Sequence, residues 1–146
     1  MSTDVYADMT KAGLGIWFCI HTMAVRAKTP ETKRAYADFV TMICESLRCN
    51  TCHGHCSMYL QNTGNVSKFL DLKIEGHEDE ELGCAYHSWA FHNAANMHAG
   101  KAPHTDFYGW YRSFVGAKGC SECGVKHTPE ISSKERAKGR IMFFSN

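Results

Sequence analysis

The sequence predicts an all-α fold. Apolar residues recur at spacings of three and four over long stretches, a helix start is spelled at Thr29-Pro30-Glu31, and no convincing apolar–polar alternation marks a strand. In residues 11–28, Leu14, Trp17, Phe18, His21 and Val25 form one helical stripe. Thr29 then offers a side-chain cap, Pro30 occupies the first turn, and Glu31 meets the positive end of the helix dipole. Tyr36, Phe39, Val40, Ile43 and Leu47 mark the inner face of that second helix. A third is predicted from the Cys49/Cys52 pair through Tyr59 and Leu60 to the turn at residues 62–65, and residues 66–74 fit either a helical turn or an extended piece. The acids of His77-Glu78-Asp79-Glu80-Glu81 stand where a helix N-terminus favours negative charge, and that helix runs to about Ala99, where Gly100 and Pro103 stop it. A last short helix covers residues 105–115. Four substantial helices fit an antiparallel bundle.

The composition narrows the function. At 146 residues, 44% hydrophobic and 21% charged, the chain is one ordinary globular domain that needs no disulfides merely to fold. A net charge of +1 gives no chain-wide basic field, so nucleic acid is not expected as a partner. Nowhere do about 18 apolar residues run together, so no membrane span is expected. Asp4 and Asp8 at the start, without a basic leader, argue against a secretory signal. Eight cysteines are the abnormal number, and in a chain without that signal they point to metal binding or thiol chemistry. From Gly116 the pattern breaks: glycines and a serine pair accompany six basic and three acidic residues, a charge of +3 against −2 before it. We therefore expect a helical domain over residues 1–115 and a flexible basic tail over residues 116–146.

Two C-x-x-C pairs stand out, Cys49/Cys52 and Cys120/Cys123. As a redox disulfide, such a pair puts two sulfurs in reach of each other, and helix N-terminal amides make a thiolate reactive. As half-sites, the two pairs would give zinc four thiolates, with His53, His55 and Cys56 enriching the first; this non-enzymatic zinc-binding interaction module is the alternative reading. Cys49-Asn50-Thr51-Cys52-His53 also spells a haem attachment motif, but attachment normally follows export, and no export signal is expected. Cysteines as small buried hydrophobes suit Cys19 and Cys44 and not the two pairs. On the fourth helix Leu82, Tyr86, Trp89, His92, Asn96 and Ala99 share a face that turns from apolar to polar, with Asn93 beside it. That face either rotates toward water or points imidazole and amides at a bound polar ligand. Trp17, Tyr59, Trp89 and Phe91 supply flat apolar surface suited to a large aromatic cofactor.

Together these residues resemble the Erv/ALR family of FAD-dependent sulfhydryl oxidases. The motifs are Trp17-x-x-x-His21, Cys49-Asn-Thr-Cys52 with Tyr59 seven residues on, and His92-Asn93-Ala-Ala-Asn96 followed by Lys101, over about residues 11–108. The resemblance implies a four-helix bundle with a short fifth helix, FAD at one end, and a homodimer through the first two helices. It implies that Trp17, His21, Tyr59, His92, Asn93, Asn96 and Lys101 line the flavin, with Cys52 nearest the ring. Cys49 would then be the sulfur that substrate thiols attack, through a mixed disulfide. Electrons would pass from dithiol proteins, directly or by a thioredoxin-like relay protein, through FAD to O2 with release of H2O2. Cys120/Cys123 would serve as a shuttle, its tail raising the local dithiol concentration. The short form with Trp89-Ala-Phe-His92 is similar to versions carried by large DNA viruses, which implies host cytoplasm or virion; otherwise the mitochondrial intermembrane space is implied. Two departures stand out: Trp89 replaces a cysteine of the family's structural disulfide, and Cys56 replaces an aromatic residue after the C-x-x-C. The pairing of Cys19, Cys44, Cys56 and Cys84 is left open by the sequence.

Overall fold

The computed structural model describes residues 9–47 and 50–116, the side chains of residues 9–12 excepted. Five helices follow one another there: α1 (Met9–Arg26), α2 (Pro30–Ser46), α3 (Asn50–Gln61), α4 (Gly83–His98) and α5 (Phe107–Gly116). Among the described residues there is no strand, and no helix is long and apolar enough to cross a membrane. The chain divides into a unit ending at Phe107 and a second beginning at Tyr108. In the first, α1 packs on α2 and α4, and α2 packs on α3. In the second, Trp110 and Phe114 stack one turn apart along α5 at 5.5 Å. Cys49 and the whole of residues 117–146, with Cys120 and Cys123, lie outside the described residues.

The start of α2 follows its sequence closely. The Thr29 side chain accepts from the Thr32 N–H at 3.2 Å, and the Thr32 hydroxyl accepts from the Thr29 N–H at 2.9 Å. This reciprocal pair satisfies two donors that a helix end would otherwise leave bare. Tyr36, Val40 and Cys44 then drop into the core beside Ile20, Ala24 and Ala27, while Phe39, Ile43 and Leu47 pack partly buried against it.

Two expectations need correction and one open stretch is resolved. In α1 the buried residues are Ile20, His21 and Ala24, whereas Leu14 is 84% and Phe18 38% exposed. Alanine gives little apolar signal in a stripe, yet its small size is what lets neighbouring helices approach. The acids before Gly83 do not begin α4: Leu82 occupies the N-cap without a side-chain bond, and the first turn holds no acid. Glu81 instead grips Lys33 at 2.8 Å and Lys73 at 2.8 Å, and Lys33 also reaches Asp71 at 3.1 Å. The run is a strap to α2. The stretch left open resolves into a short 3-10 turn at Val66–Lys68, followed by turns.

The cysteines sort themselves as well. Cys44 of α2 is bonded to Cys56 of α3. Cys19 is exposed and Cys84 is buried, with its thiol pushed up to about 11 by burial. The Trp89 ring packs on Tyr86 and Phe107 at 5.3 and 5.6 Å.

Candidate functional site

Helices α1 to α4 wall a cleft of about 560 Å³. Ile16, Trp17 and Ile20 of α1, Ile43 of α2 and Phe91 of α4 form its apolar side. From α3 come Thr51, Cys52, His55, Cys56 and Tyr59; α4 contributes His92, Asn96 and His98, and Lys101 follows. Positions 52, 55, 56 and 59 share one helix face, which is why a single helix delivers so many polar groups to one wall. Cys52 sits in the first turn of α3, where the helix dipole favours negative charge.

Lys101 reaches the cleft because of how α4 ends. Gly100 adopts φ 73°, a left-handed conformation that favours glycine. The chain then folds back, with the Gly100 N–H donating to the Met97 carbonyl at 3.1 Å and the Lys101 N–H to the Asn96 carbonyl at 2.7 Å. At the far end of α3 the backbone of Gly64 lies flat against the Tyr59 ring, so close that a Cβ would strike it. The ring is thereby held against Phe91, stacked at 5.1 Å with 9° between planes. Burial pushes the Tyr59 phenol up to about 12.

Beside them Trp17, edge-on to Phe91 at 5.0 Å, stacks on His92 at 4.2 Å and 8°. Behind them His21 is buried, its Nε2 lying 3.0 Å from His92 Nδ1 and its Nδ1 3.0 Å from Ser88 Oγ. Burial, then the neighbouring His92, lowers His21 to about 3. Burial, then the charges of His104 and Lys101, also lowers His92. His21 and His92 are therefore neutral imidazoles at neutral pH.

Of the residues expected at a cofactor, Trp17, Tyr59, His92, Asn96, Lys101 and the expected catalytic Cys52 line this cleft together. His21 and Asn93 do not. His21 stands behind His92, and both ends of the Asn93 amide bond the His104 backbone at 2.8 Å, pinning the segment after α4. Of the face read on α4, His92, Asn96 and Ala99 line the cleft, but Trp89 turns to Phe107, and the helix also buries Cys84, His87, Ser88 and Phe91. Sequence reading named His55 only as a ligand for zinc and missed His98; the two rings stack at 4.1 Å on the cleft wall. The three-residue step from Cys52 to His55 was the available signal. Among the described residues no group of three or more His, Cys, Asp or Glu is placed to hold a metal ion. No family model matches the chain, and no match is found among curated proteins or solved structures.

Proposed function

We propose that the chain is an FAD-dependent thiol oxidase of the Erv/ALR type, forming disulfides in dithiol protein substrates through Cys49 and Cys52. The observation that supports it is that Cys52 shares one cleft with the Trp17–His92 stack, Tyr59, Asn96 and Lys101. The residues present fit the cofactor. The volume lies within the roughly 300–1,000 Å³ of ordinary ligand pockets, and two stacked pairs offer flat walls to a ring system. Asn96 and His92 supply polar contacts, and Lys101 supplies a positive charge for an anionic group. On this reading α1 to α4 form a four-helix bundle, the cleft is its cofactor end, and the chain dimerises through α1 and α2.

A substrate thiolate attacks the Cys49 sulfur of a Cys49–Cys52 disulfide, forming a mixed disulfide and releasing the Cys52 thiolate. The second substrate thiol displaces Cys49, which leaves substrate oxidised and the pair reduced. FAD, when bound, supplies the two-electron acceptor that restores the disulfide and passes the electrons to O2 as H2O2. The position of Cys52 in the first turn of α3 favours the thiolate it must become, and the apolar wall of Ile16, Ile20 and Phe91 limits water around it. Cys120/Cys123 serves as a shuttle for bulky substrates.

Absorption of the purified protein and dithiothreitol-driven oxygen uptake test this reading. A yellow protein that consumes oxygen is expected, with Cys52→Ser abolishing uptake while flavin stays bound. A colourless protein that takes up no FAD and releases stoichiometric zinc would overturn it in favour of a zinc-binding interaction module.

A further inference from the structure

We propose that Ser88 is a positioning residue that, acting through His21, holds His92 as its Nδ1–H tautomer, so that Nε2 meets the cleft as a hydrogen-bond acceptor and selects a ligand group that donates there. The bond directions follow from one end. The Ala85 carbonyl only accepts, and Ser88 Oγ lies 2.8 Å from it, so the hydroxyl proton is committed there. Oγ then has only lone pairs for His21 Nδ1 at 3.0 Å, which must carry the imidazole proton. A neutral His21 has no second proton. Its Nε2 is a lone pair, and His92 Nδ1, 3.0 Å away, must donate to it.

The reverse polarity, with Ser88 donating to His21, strips the Ala85 contact of its hydrogen and makes two bonds where the first makes three. His21 stays neutral because it is buried, with a pKa lowered to about 3. His92 is faced by His21 from α1 and by Lys101 and His104 from the segment after α4, all of which oppose a positive charge on its ring. Its Nε2 bonds to no described group, while the ring itself forms part of the cleft wall. A ligand amide N–H, amine or hydroxyl therefore fits against His92, and a carboxylate or phosphate oxygen does not.

The inference deepens the reading of the cleft proposed above, but its readout needs no FAD, so the two fail separately. Long-range 1H–15N spectra of ¹⁵N-histidine-labelled, ligand-free protein at pH 7, with the signal assigned by its loss in His92→Ala, should show the proton on His92 Nδ1. In Ser88→Ala, His21 is free to carry its proton on Nε2, and His92 should shift to the Nε2–H form. A wild-type proton on His92 Nε2 overturns the proposal, as does an unchanged His92 tautomer in a helical Ser88→Ala. Should that variant not fold, Ser88→Cys, of similar size and weaker hydrogen bonding, should give a mixture of tautomers; an unmixed Nδ1–H pattern overturns the proposal too.

Discussion

Two histidines five residues apart on α4 show how the same side chain takes different work from its surroundings. His87 is closed at both ends: the Tyr36 hydroxyl donates to Nδ1 at 2.7 Å and Nε2–H donates to the Gly64 carbonyl at 2.7 Å. It is fully buried, and burial lowers it to about 4. His92 is closed at one end only, with its other nitrogen left for the cleft. The first ties α2, α4 and the turn after α3 together. The second lines the cleft. They are also linked, because the turn that His87 anchors carries Gly64, and Gly64 props the Tyr59 ring on the cleft wall.

The contrast breaks most visibly at His87. His87→Ala leaves a cavity, an unpaired Tyr36 hydroxyl and an unpaired Gly64 carbonyl, a loss of about 4 kcal/mol in urea unfolding. A loss under about 1 kcal/mol would put the two histidines on one footing.

Acid acts on the sealed imidazoles next. His21 and His87 have folded pKa values below the unfolded 6.5, so the unfolded chain binds more protons and stability falls as pH drops through that range. Between pH 7 and 5 the pair should lose about 3 kcal/mol together. Glu81, held down to about 2 by Lys33 and then Lys73, has stability to lose only as pH falls below its ordinary 4.5. An unfolding midpoint unchanged between pH 7 and 5 would contradict the burial of both rings.

Gly64→Ala should cost about 2 kcal/mol by forcing the Tyr59 ring aside, and should lower flavin retention with it. Loss of stability without loss of flavin would separate the turn from the cleft. The smallest stability effect belongs to His92→Ala, about 1 kcal/mol or less because water reaches the vacated site. Flavin content should nevertheless fall, and unchanged content would remove His92 from the cofactor wall.

The parts legible in the sequence are those where one local segment decides the outcome. Thr29-Pro30 begins α2, Gly100 ends α4, and the turn after Gln61 ends α3, each through bonds among near neighbours. Cys52 and Tyr59 share a face by their spacing alone, and both reach the cleft. The rest depended on partners distant in the chain. His87 and Ser88 look solvent-facing to an apolar stripe search, and only Tyr36, Gly64 and His21 make their burial tolerable. Asn93 belonged to an expected ligand motif, yet the His104 backbone takes its amide. The acids at 78–81 suited a helix dipole in isolation, but Lys33 on another helix claims Glu81.

The bond between Cys44 and Cys56 makes a covalent ring of the stretch that carries Cys52, with ends 12 residues apart in sequence and 5.6 Å apart in space. Tension applied to the two chain termini passes through the sulfurs and leaves the ring slack, hiding roughly 40 Å of contour until a reductant opens it. A protease that nicks the ring likewise releases no fragment, so the stretch carrying Cys52 can be cut once and still stay tethered to both α2 and α3.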